Sequence, residues 1–228
     1  MKKAAEIEAL FSGLGADFVV TAEEIQDRLN SVRAFVFDWD GIFNSGSKGK
    51  GVPSTFSEPD SMGTNMLRYA YWRNRGELSV FAVVSSADNP TAKQLARREH
   101  FDAAYCGFGD KDRAFDALCE HFAISRAQVA YVFDDINDLA VARQCALRIL
   151  VRRRASPLLR EFCEMKRLVD YVTAAQSDEY AVREISEMLI ALLGGYPDVF
   201  DSRSAYDAEY QKYFATRQSV TTLDVDAH

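Results

Sequence analysis

Short apolar runs alternate with amphipathic segments over most of the chain. The runs at residues 34–37, 78–84, 103–106, 129–133 and 147–151 have the length and the Val and Phe content of strands that are buried on both faces. The segments between them repeat apolar residues every three or four positions, which predicts helices. Strands that alternate with helices in this way predict an α/β fold with a doubly wound, Rossmann-like parallel sheet and right-handed crossovers.

The chain divides into three parts by this pattern. Residues 1–31 predict a helical extension, because apolar residues recur at helical spacing and Thr21 and Glu24 form a capping box. Residues 32–193 predict the main domain, and residues 194–228 form a C-terminal tail. The tail is too aromatic for a plain disordered segment, so we expect it to dock on the body or on a neighbouring subunit. Within the main domain, helices are predicted at residues 62–75, 90–99, from 111 onward, 138–145, 157–165 and 179–193.

The first buried strand ends in two carboxylates, Asp38 and Asp40, with Trp39 between them. Side chains alternate along an extended chain, so both aspartates point the same way. Ligands bind parallel sheets at the carboxyl ends of the strands, where this pair emerges. Two like charges held so close favour a divalent cation, and hard carboxylate oxygens suit Mg²⁺.

Later strand ends carry polar groups as well. Ser85 follows the second buried strand, Lys111 follows the loop after the third, and Asp134 and Asp135 with Asp138 follow the fourth. An isolated acidic pair often only caps a helix. Because a parallel sheet brings its carboxyl ends together, we expect these groups to meet the aspartates of the first strand.

Composition narrows the class of protein. The chain has 228 residues, of which 48% are hydrophobic, and a net charge of −7, which argues against general nucleic-acid binding. No apolar run approaches the roughly 20 residues of a membrane helix. The four cysteines and three histidines show no zinc pattern, so a cytoplasmic protein with reduced thiols is expected. The run at residues 152–154, three arginines, is either a solvated face or a phosphate-binding element.

The four strand-end motifs resemble those of the haloacid dehalogenase superfamily of phosphohydrolases. The likeness covers residues 32–193. Within that superfamily, the chain is similar to the cap-less 3-deoxy-manno-octulosonate 8-phosphate phosphatases and their sialic-acid-type relatives. The residues that carry this closer likeness are Asp60-Ser61-Met62-Gly63, residues 129–135, Asp170-Tyr171-Val172-Thr173 and Ala181-Val182-Arg183-Glu184.

The resemblance implies a magnesium-dependent phosphomonoesterase that works through an aspartyl-phosphate. Asp38 would be the nucleophile and Asp40 the acid and base, while Ser85 and Lys111 would hold the phosphoryl oxygens. Mg²⁺ would be held by Asp38, the backbone carbonyl of Asp40 and Asp134. Asp135 and Asp138 would orient metal-bound water and Lys111. Further substrate contacts are expected from Asn44, Asp60, Ser86 and Arg183.

The family likeness also has consequences for assembly. No insertion is long enough for a large cap domain, so the flap at residues 42–59, the tail or a neighbouring subunit would have to cover the site. In cap-less relatives an adjacent subunit does this. We therefore expect a homo-oligomer, such as a tetramer, although the segment 46–53 is poorer in strand formers than the family's hairpin.

Two departures from the family pattern concern basic residues. Ser86-Ala87-Asp88 stands where the family usually has Gly-Arg, and residues 176–180 replace a Gly-Gly-Arg-Gly segment. A carboxylate-bearing substrate normally needs a fixed guanidinium, for which Arg183, Arg203 and Arg217 are the candidates. The predicted substrate is a small phosphate ester, a sugar or sugar-acid phosphate related to 3-deoxy-manno-octulosonate 8-phosphate but different from it.

Two other functions fit the same motifs. A phosphoacceptor signalling domain also combines acids at strand ends, a Ser or Thr and a Lys on a parallel sheet, but it has no need of an acid-base residue at Asp40. A non-catalytic scaffold is the second alternative, because a fold does not fix a function. The presence of every acidic residue and of Lys111 argues against the scaffold.

Overall fold

In the computed structural model, which describes residues 2–49 and 54–227, eight strands form one sheet. Their spatial order is β1-β7-β6-β5-β2-β3-β4-β8, and only β1 and β7 pair antiparallel. The predicted α/β fold with a mainly parallel sheet is thereby confirmed. The strands are β1 (Asp17–Phe18), β2 (Ala34–Phe37), β3 (Val80–Val84), β4 (Ala103–Cys106), β5 (Val129–Phe133), β6 (Leu147–Leu150), β7 (Tyr171–Val172) and β8 (Leu223–Asp226).

Helices cover both faces of this sheet. Phe35 and Phe37 of β2 enter a core with α1 to α4, α8 and the tail, whereas Ala34 and Val36 enter a second core with α5, α6 and α7. Every β2 side chain is buried, which explains its unbroken apolar run. The helices are α1 (Ala4–Gly13), α2 (Ala22–Leu29), α3 (Glu58–Arg75), α4 (Pro90–Arg98), α5 (Lys111–His121), α6 (Leu139–Ala142), α7 (Pro157–Met165), α8 (Ala181–Leu193), α9 (Tyr196–Ala205) and α10 (Ala208–Gln218).

Local signals fix where the helices near the sheet edge begin. Ser57 caps α3 by accepting the backbone N–H of Asp60 at 3.1 Å. Asp110 caps α5 in the same way, which makes Lys111 the first residue of that helix. The predicted helix at residues 138–145 is shorter than expected: α6 begins at Leu139, after a 3-10 turn at Ile136–Asp138, and ends at Ala142.

The N-terminal segment contributes to the sheet as well as to the helical layer. Strand β1 pairs with β7 through Asp17 opposite Val172 and Phe18 opposite Tyr171. Two residues are too few for an alternation pattern, so only helices were predictable there.

The C-terminal tail packs on the body through α9, α10 and β8. Tyr210 and Tyr213 contact Tyr69 of α3 with ring centroids 5.1 and 4.9 Å apart. Strand β8 then adds to the sheet beside β4, in parallel. The alternation in Leu223-Asp224-Val225-Asp226 is the sequence signal for this strand. None of the described helices combines the length and apolar content needed to cross a bilayer.

Candidate active site

Three neighbouring strands end at the candidate site. Strand β2 lies between β5 and β3, with Phe37 opposite Val132 and Val83, so the residues that follow these strands meet at one edge. Asp38 therefore stands between Asp134 and Ser85, and all three residues are buried. The structure thus brings together the groups that the sequence pattern placed at the strand ends.

Three of the aspartates form a compact group. Carboxylate oxygens of Asp38, Asp134 and Asp138 lie within 4.8 Å of one another, and all three residues are buried. Asp138 Oδ2 is buried without a hydrogen-bond partner. An unsatisfied buried carboxylate oxygen is costly, so the group fits a hard divalent cation with oxygen ligands. The side chain of Asp40 is not in this group; the prediction for that residue concerned its backbone carbonyl.

Lys111 supplies positive charge to the same group. Its Nζ atom lies 2.7 Å from Asp38 Oδ1 and 2.5 Å from Asp138 Oδ1. The hydroxyl of Tyr131, on β5, also donates to Asp138 Oδ1. Asp138 therefore contacts Lys111, and one lysine faces three carboxylates; the predicted role of Asp138 in orienting that lysine stays a prediction.

The charge imbalance appears in the pKa values of these groups. Burial raises the pKa of Asp38 to about 8, and Asp138 and Asp134 add repulsion that Lys111 only partly offsets. Burial likewise raises the pKa of Asp134 to about 6, against the opposing effect of Arg153. Burial lowers the pKa of Lys111, but Asp38 and Asp138 outweigh it and hold that pKa above its usual value. A bound cation would favour the ionised carboxylates.

A separate hydrogen-bond chain joins Ser85 to Asp40. Asn89 Nδ2 donates to Ser85 Oγ at 2.7 Å and to Asp40 Oδ2 at 3.1 Å. Since Ser85 Oγ accepts this bond, its own hydrogen is free to donate elsewhere. Lys48 of the flap also pairs with Asp40 Oδ2, so Asp40 sits at the mouth of the site with about a fifth of its side chain exposed.

Gly41 allows the chain to turn away from the carboxylates. Its φ is +86°, and a Cβ atom there would collide with Asp134 Oδ2 and the guanidinium of Arg153. Only glycine meets both requirements. Arg153, which follows β6, donates from Nη2 to Asp134 Oδ2.

Three predicted residues lie farther from this chemistry. Asp135 is exposed and accepts the N–H of Ile136, and Ser86 is exposed. Asn44 stabilises the flap through two hydrogen bonds. Its Oδ1 accepts the backbone N–H of Gly46, and its backbone carbonyl accepts the backbone N–H of Gly41. Residues 50–53 of the flap lie outside the described residues.

Asp60 and Arg183 meet each other at the start of α3 and α8. The buried Asp60 carboxylate accepts the hydroxyl of Ser57 and the backbone N–H of Arg183, and the Arg183 guanidinium pairs with Glu187 at 2.8 Å. These contacts give Asp60 a structural role, and its predicted substrate contact stays a prediction, as does that of Arg183.

The sequence analysis gave no role in the site to Lys48, Asn89 or Tyr131, and it included Arg153 only in the arginine run at residues 152–154. Tyr131 contacts a residue that lies only seven positions later in the chain, at the end of the 3-10 turn Ile136–Asp138. The contacts of the others depend on how separate strands and loops lie side by side.

Known proteins are similar to this chain in both fold and sequence. No protein-family model matches the chain. The crystal structure of 3-deoxy-D-manno-octulosonate 8-phosphate phosphatase from Moraxella catarrhalis, in complex with magnesium, phosphate and KDO, superposes with a TM-score of 0.64; it is 21% identical and covers 79% of this chain and 98% of its own.

Two curated relatives extend the similarity to sequence. The phosphatase KdsC of Escherichia coli K12, which bears the same enzyme name, is 28% identical over 193 residues, or 85% of this chain and 94% of its own length. KdsC of Haemophilus influenzae is 25% identical over 187 residues, or 80% and 95%. Sequence and fold together support a haloacid dehalogenase superfamily phosphatase that is similar to KdsC. The predicted resemblance to the 3-deoxy-manno-octulosonate 8-phosphate phosphatases is confirmed, and so is the enzyme class.

The three candidate anion-binding arginines, Arg183, Arg203 and Arg217, each contact another side chain of the protein. Arg217 forms a buried ion pair with Glu99 at 2.8 Å. The Arg203 guanidinium lies 4.8 Å from the centroid of the Tyr210 ring, and Arg183 pairs with Glu187. These contacts are made within the chain itself, and the expectation that one of the three replaces the family's missing basic residues stays a prediction.

Proposed function

We propose that the protein is a Mg²⁺-dependent phosphomonoesterase that forms an aspartyl-phosphate on Asp38. The observation that carries this proposal is the position of Asp38, between Lys111 Nζ at 2.7 Å and the carboxylates of Asp134 and Asp138. A carboxylate in such a place can attack phosphorus only if positive charge offsets its repulsion of the phosphate.

The carboxylate group fits Mg²⁺ by its chemistry. Asp38, Asp134 and the backbone carbonyl of Asp40 would hold the ion, with Asp138 Oδ2 available to it or to a water on it. Bound there, the ion would neutralise the carboxylates and the phosphoryl oxygens as charge develops. The similar Moraxella enzyme was crystallised with magnesium and phosphate.

In the first half-reaction, Asp38 attacks phosphorus and the bond from phosphorus to the ester oxygen breaks. Lys111 and the free hydrogen of Ser85 stabilise the phosphoryl oxygens during transfer. Asp40, held by Asn89 and Lys48, gives a proton to the departing alcohol oxygen. The products of this step are the free alcohol and phosphorylated Asp38.

In the second half-reaction, water attacks the same phosphorus. Asp40, now ionised, accepts a proton from that water, and the bond between phosphorus and the Asp38 oxygen breaks. Inorganic phosphate leaves and both carboxyl groups return to their starting states. Because about a fifth of the Asp40 side chain is exposed, the residue lies where water can reach it.

A phosphorylated sugar or sugar acid is the proposed substrate class. The curated relatives from E. coli and H. influenzae are named as phosphatases of 3-deoxy-D-manno-octulosonate 8-phosphate. The replaced basic residues after Ser85 and at residues 176–180 support a related but different ester.

The deciding experiment is a steady-state phosphatase assay of the purified chain with Mg²⁺. Specificity constants would be compared across nonulosonate, octulosonate and neutral hexose phosphates, and acid-quenched enzyme would be analysed by mass spectrometry for phosphate on Asp38. We expect turnover with a sugar or sugar-acid phosphate and a label at Asp38. A clear preference for a nucleotide or a phosphoprotein would contradict the substrate class.

The same assay separates the enzyme from a phosphoacceptor signalling domain. An enzyme turns over many times, whereas a signalling domain would give a single burst and keep the phosphate. The cytoplasmic location and the homo-oligomer, such as a tetramer, stay predictions. Light scattering coupled to size-exclusion chromatography measures the subunit number directly.

A further inference from the structure

A recess lies beside Asp134 at the carboxyl edge of the sheet. It is lined by residues 150–154 after β6, by the start of α7 and by Val172, and its volume is about 230 Å³. Since a water molecule in the liquid occupies about 30 Å³, an oxyanion with several attached carbon atoms would fit. We call this space the β6 recess.

Positive charge dominates the walls of the β6 recess. Arg152 and Arg160 share a single carboxylate, that of Asp17, and Arg160 also pairs with Glu164. Arg154 also lines the recess and is exposed, and its guanidinium makes no hydrogen bond or ion pair within the described part of the chain. An unpaired guanidinium in a concave wall is suited to bind a carboxylate or a phosphate through two parallel hydrogen bonds.

Arg153 connects the recess to the reaction centre. Its guanidinium contacts Asp134, one of the three clustered carboxylates, and both Arg153 and Asp134 line the recess. The recess therefore adjoins the three clustered aspartates, so a substrate whose phosphate lay near Asp38 could place another group in the recess.

The start of α7 adds to this potential. Ser156 and Pro157 line the recess, and Ser156 precedes the helix without making a side-chain cap. The first backbone N–H groups of a helix carry partial positive charge and favour anions. The helix end reinforces the arginines.

Resting on the proposed function, we infer that the β6 recess binds a second anionic group of the substrate, with Arg154 as its main contact. The substrate is then a phosphate monoester that also carries a carboxylate or a further phosphate. This assignment gives the chain a basic contact of its own, at positions other than those after Ser85 and at residues 176–180 where the family pattern has arginine. Arg154 is a specificity residue rather than a catalytic one.

Three six-carbon phosphate esters test the inference. With Mg²⁺ present, kcat/KM would be measured for 6-phosphogluconate, which has a carboxylate, for fructose 1,6-bisphosphate, which has a second phosphate, and for sorbitol 6-phosphate, which has neither. We expect the kcat/KM of one of the two esters that carry a second anionic group to exceed that of sorbitol 6-phosphate by at least about tenfold. This is the effect of one charge-assisted hydrogen bond. Which of them does so identifies the anion.

Substitution then assigns the preference to the recess. Arg154→Gln should lower the ratio between the preferred ester and sorbitol 6-phosphate by about tenfold, and Arg154→Lys should lower it less, since charge remains but the planar fork is lost. Arg143→Gln is the matched control: this exposed arginine lies outside the recess, and its side chain makes no described hydrogen bond. A ratio unchanged in Arg154→Gln would overturn the inference while leaving the phosphatase intact.

A binding measurement separates the inference from the proposed chemistry. In the Asp38→Asn background, isothermal titration calorimetry would measure the binding of 6-phosphogluconate and of fructose 1,6-bisphosphate with and without Arg154→Gln. Binding about tenfold weaker in the double variant supports the β6 recess even if no ester is turned over. Equal binding with and without Arg154→Gln would overturn the inference on its own.

Discussion

Helix α4 joins two buried polar clusters that differ in their balance of charge. At the N-terminal end of α4, Asn89 contacts Ser85 and Asp40 beside the three clustered aspartates. At the C-terminal end of α4, the Glu99 carboxylate accepts a hydrogen bond from the hydroxyl of Ser61 at 2.6 Å and forms an ion pair with Arg217 of the tail at 2.8 Å. The second cluster sets one buried carboxylate against one buried guanidinium, whereas the first sets three buried carboxylates against one buried lysine.

Burial does not distinguish the two clusters. The side chains of Asp38 and Lys111 are 9% and 4% exposed, and those of Glu99 and Arg217 are 8% and 6% exposed. The excess of negative charge does distinguish them. In the Glu99–Arg217 pair the two charges neutralise each other and hold the tail on the body. In the group of three aspartates the carboxylates repel one another, and a bound cation would reduce that repulsion. The unbalanced end is therefore where binding and chemistry are expected.

The largest expected effect comes from Asp38→Asn. This change removes the proposed nucleophile, so kcat should fall by at least about a thousandfold. Stability should not fall with it, because the raised pKa of Asp38 means that its charge is unfavourable in the folded protein. Phosphatase assays and thermal melts of the metal-free protein measure the two outcomes.

Asp40→Asn serves as the companion variant. It keeps the nucleophile but removes the acid and base, so kcat should fall by about 10²–10⁴. Near-normal activity in Asp38→Asn, with the substitution verified, would disprove the aspartyl-phosphate.

The second prediction breaks the balanced cluster. Glu99→Gln leaves Arg217 buried without its counter-charge, which should lower the free energy of unfolding by about 3–5 kcal/mol. Urea denaturation followed by circular dichroism measures it. The kcat of the protein that remains folded should stay within about twofold, since Glu99 lies at the far end of α4 from Asn89.

A double variant supplies the control. Glu99→Gln with Arg217→Met removes both charges, and much of the lost stability should return. If the double variant were as unstable as the sum of the single variants, the two residues would not act as a pair.

The third prediction concerns Mg²⁺ and pH. The pKa values of Asp38 and Asp134 in the folded chain, about 8 and about 6, exceed the usual 3.8 of an aspartate. The folded protein therefore keeps protons that the unfolded chain releases, so the metal-free protein loses stability as pH rises from about 4 to about 8. Mg²⁺ must displace those protons, and its affinity should rise with pH over the same window.

Calorimetry and thermal melts at pH 5.5 and pH 8 measure this dependence. The rise in melting temperature on adding Mg²⁺ should be larger at pH 8. Activity should vanish in chelator and return with Mg²⁺, while Ca²⁺, which takes longer bonds and more ligands, should inhibit. Glu99→Gln, in the balanced cluster, should leave the pH dependence unchanged, and a metal affinity independent of pH would contradict the prediction.

Local pattern was enough for the parts of the fold that lie next to each other in sequence. An apolar run that ends in an acid predicted β2 with Asp38, and another predicted β5 with Asp134. Strand β8 was not predicted, because its alternation of apolar and polar residues covers only two periods and its partner β4 lies more than a hundred residues earlier. The energy of such a pairing lies in a partner that a local window does not contain.

The candidate site divides in the same way. Residues directly at strand ends could be located, since sheet geometry alone brings them together. The contact of Arg153 with Asp134 depends on β6 lying beside β5, and the burial of Arg217 depends on where the tail docks. Side chains long enough to reach several neighbours were the ones whose partners could not be predicted.

The smallest expected effect, Asn89→Ala, tests the comparison within α4 itself. Asn89 stands at the cap position of the helix but makes no side-chain cap bond, so its loss should cost less than the roughly 1 kcal/mol typical of such residues. Its hydrogen bonds go to Ser85 and Asp40 instead. Removing one such bond, worth about 1.4 kcal/mol, should lower kcat/KM by about tenfold. Asn89→Asp should lower it further, because a carboxylate there would face Asp40. Urea denaturation and steady-state kinetics on the same preparations decide the matter: a variant that loses stability but keeps kcat/KM would make both ends of α4 structural.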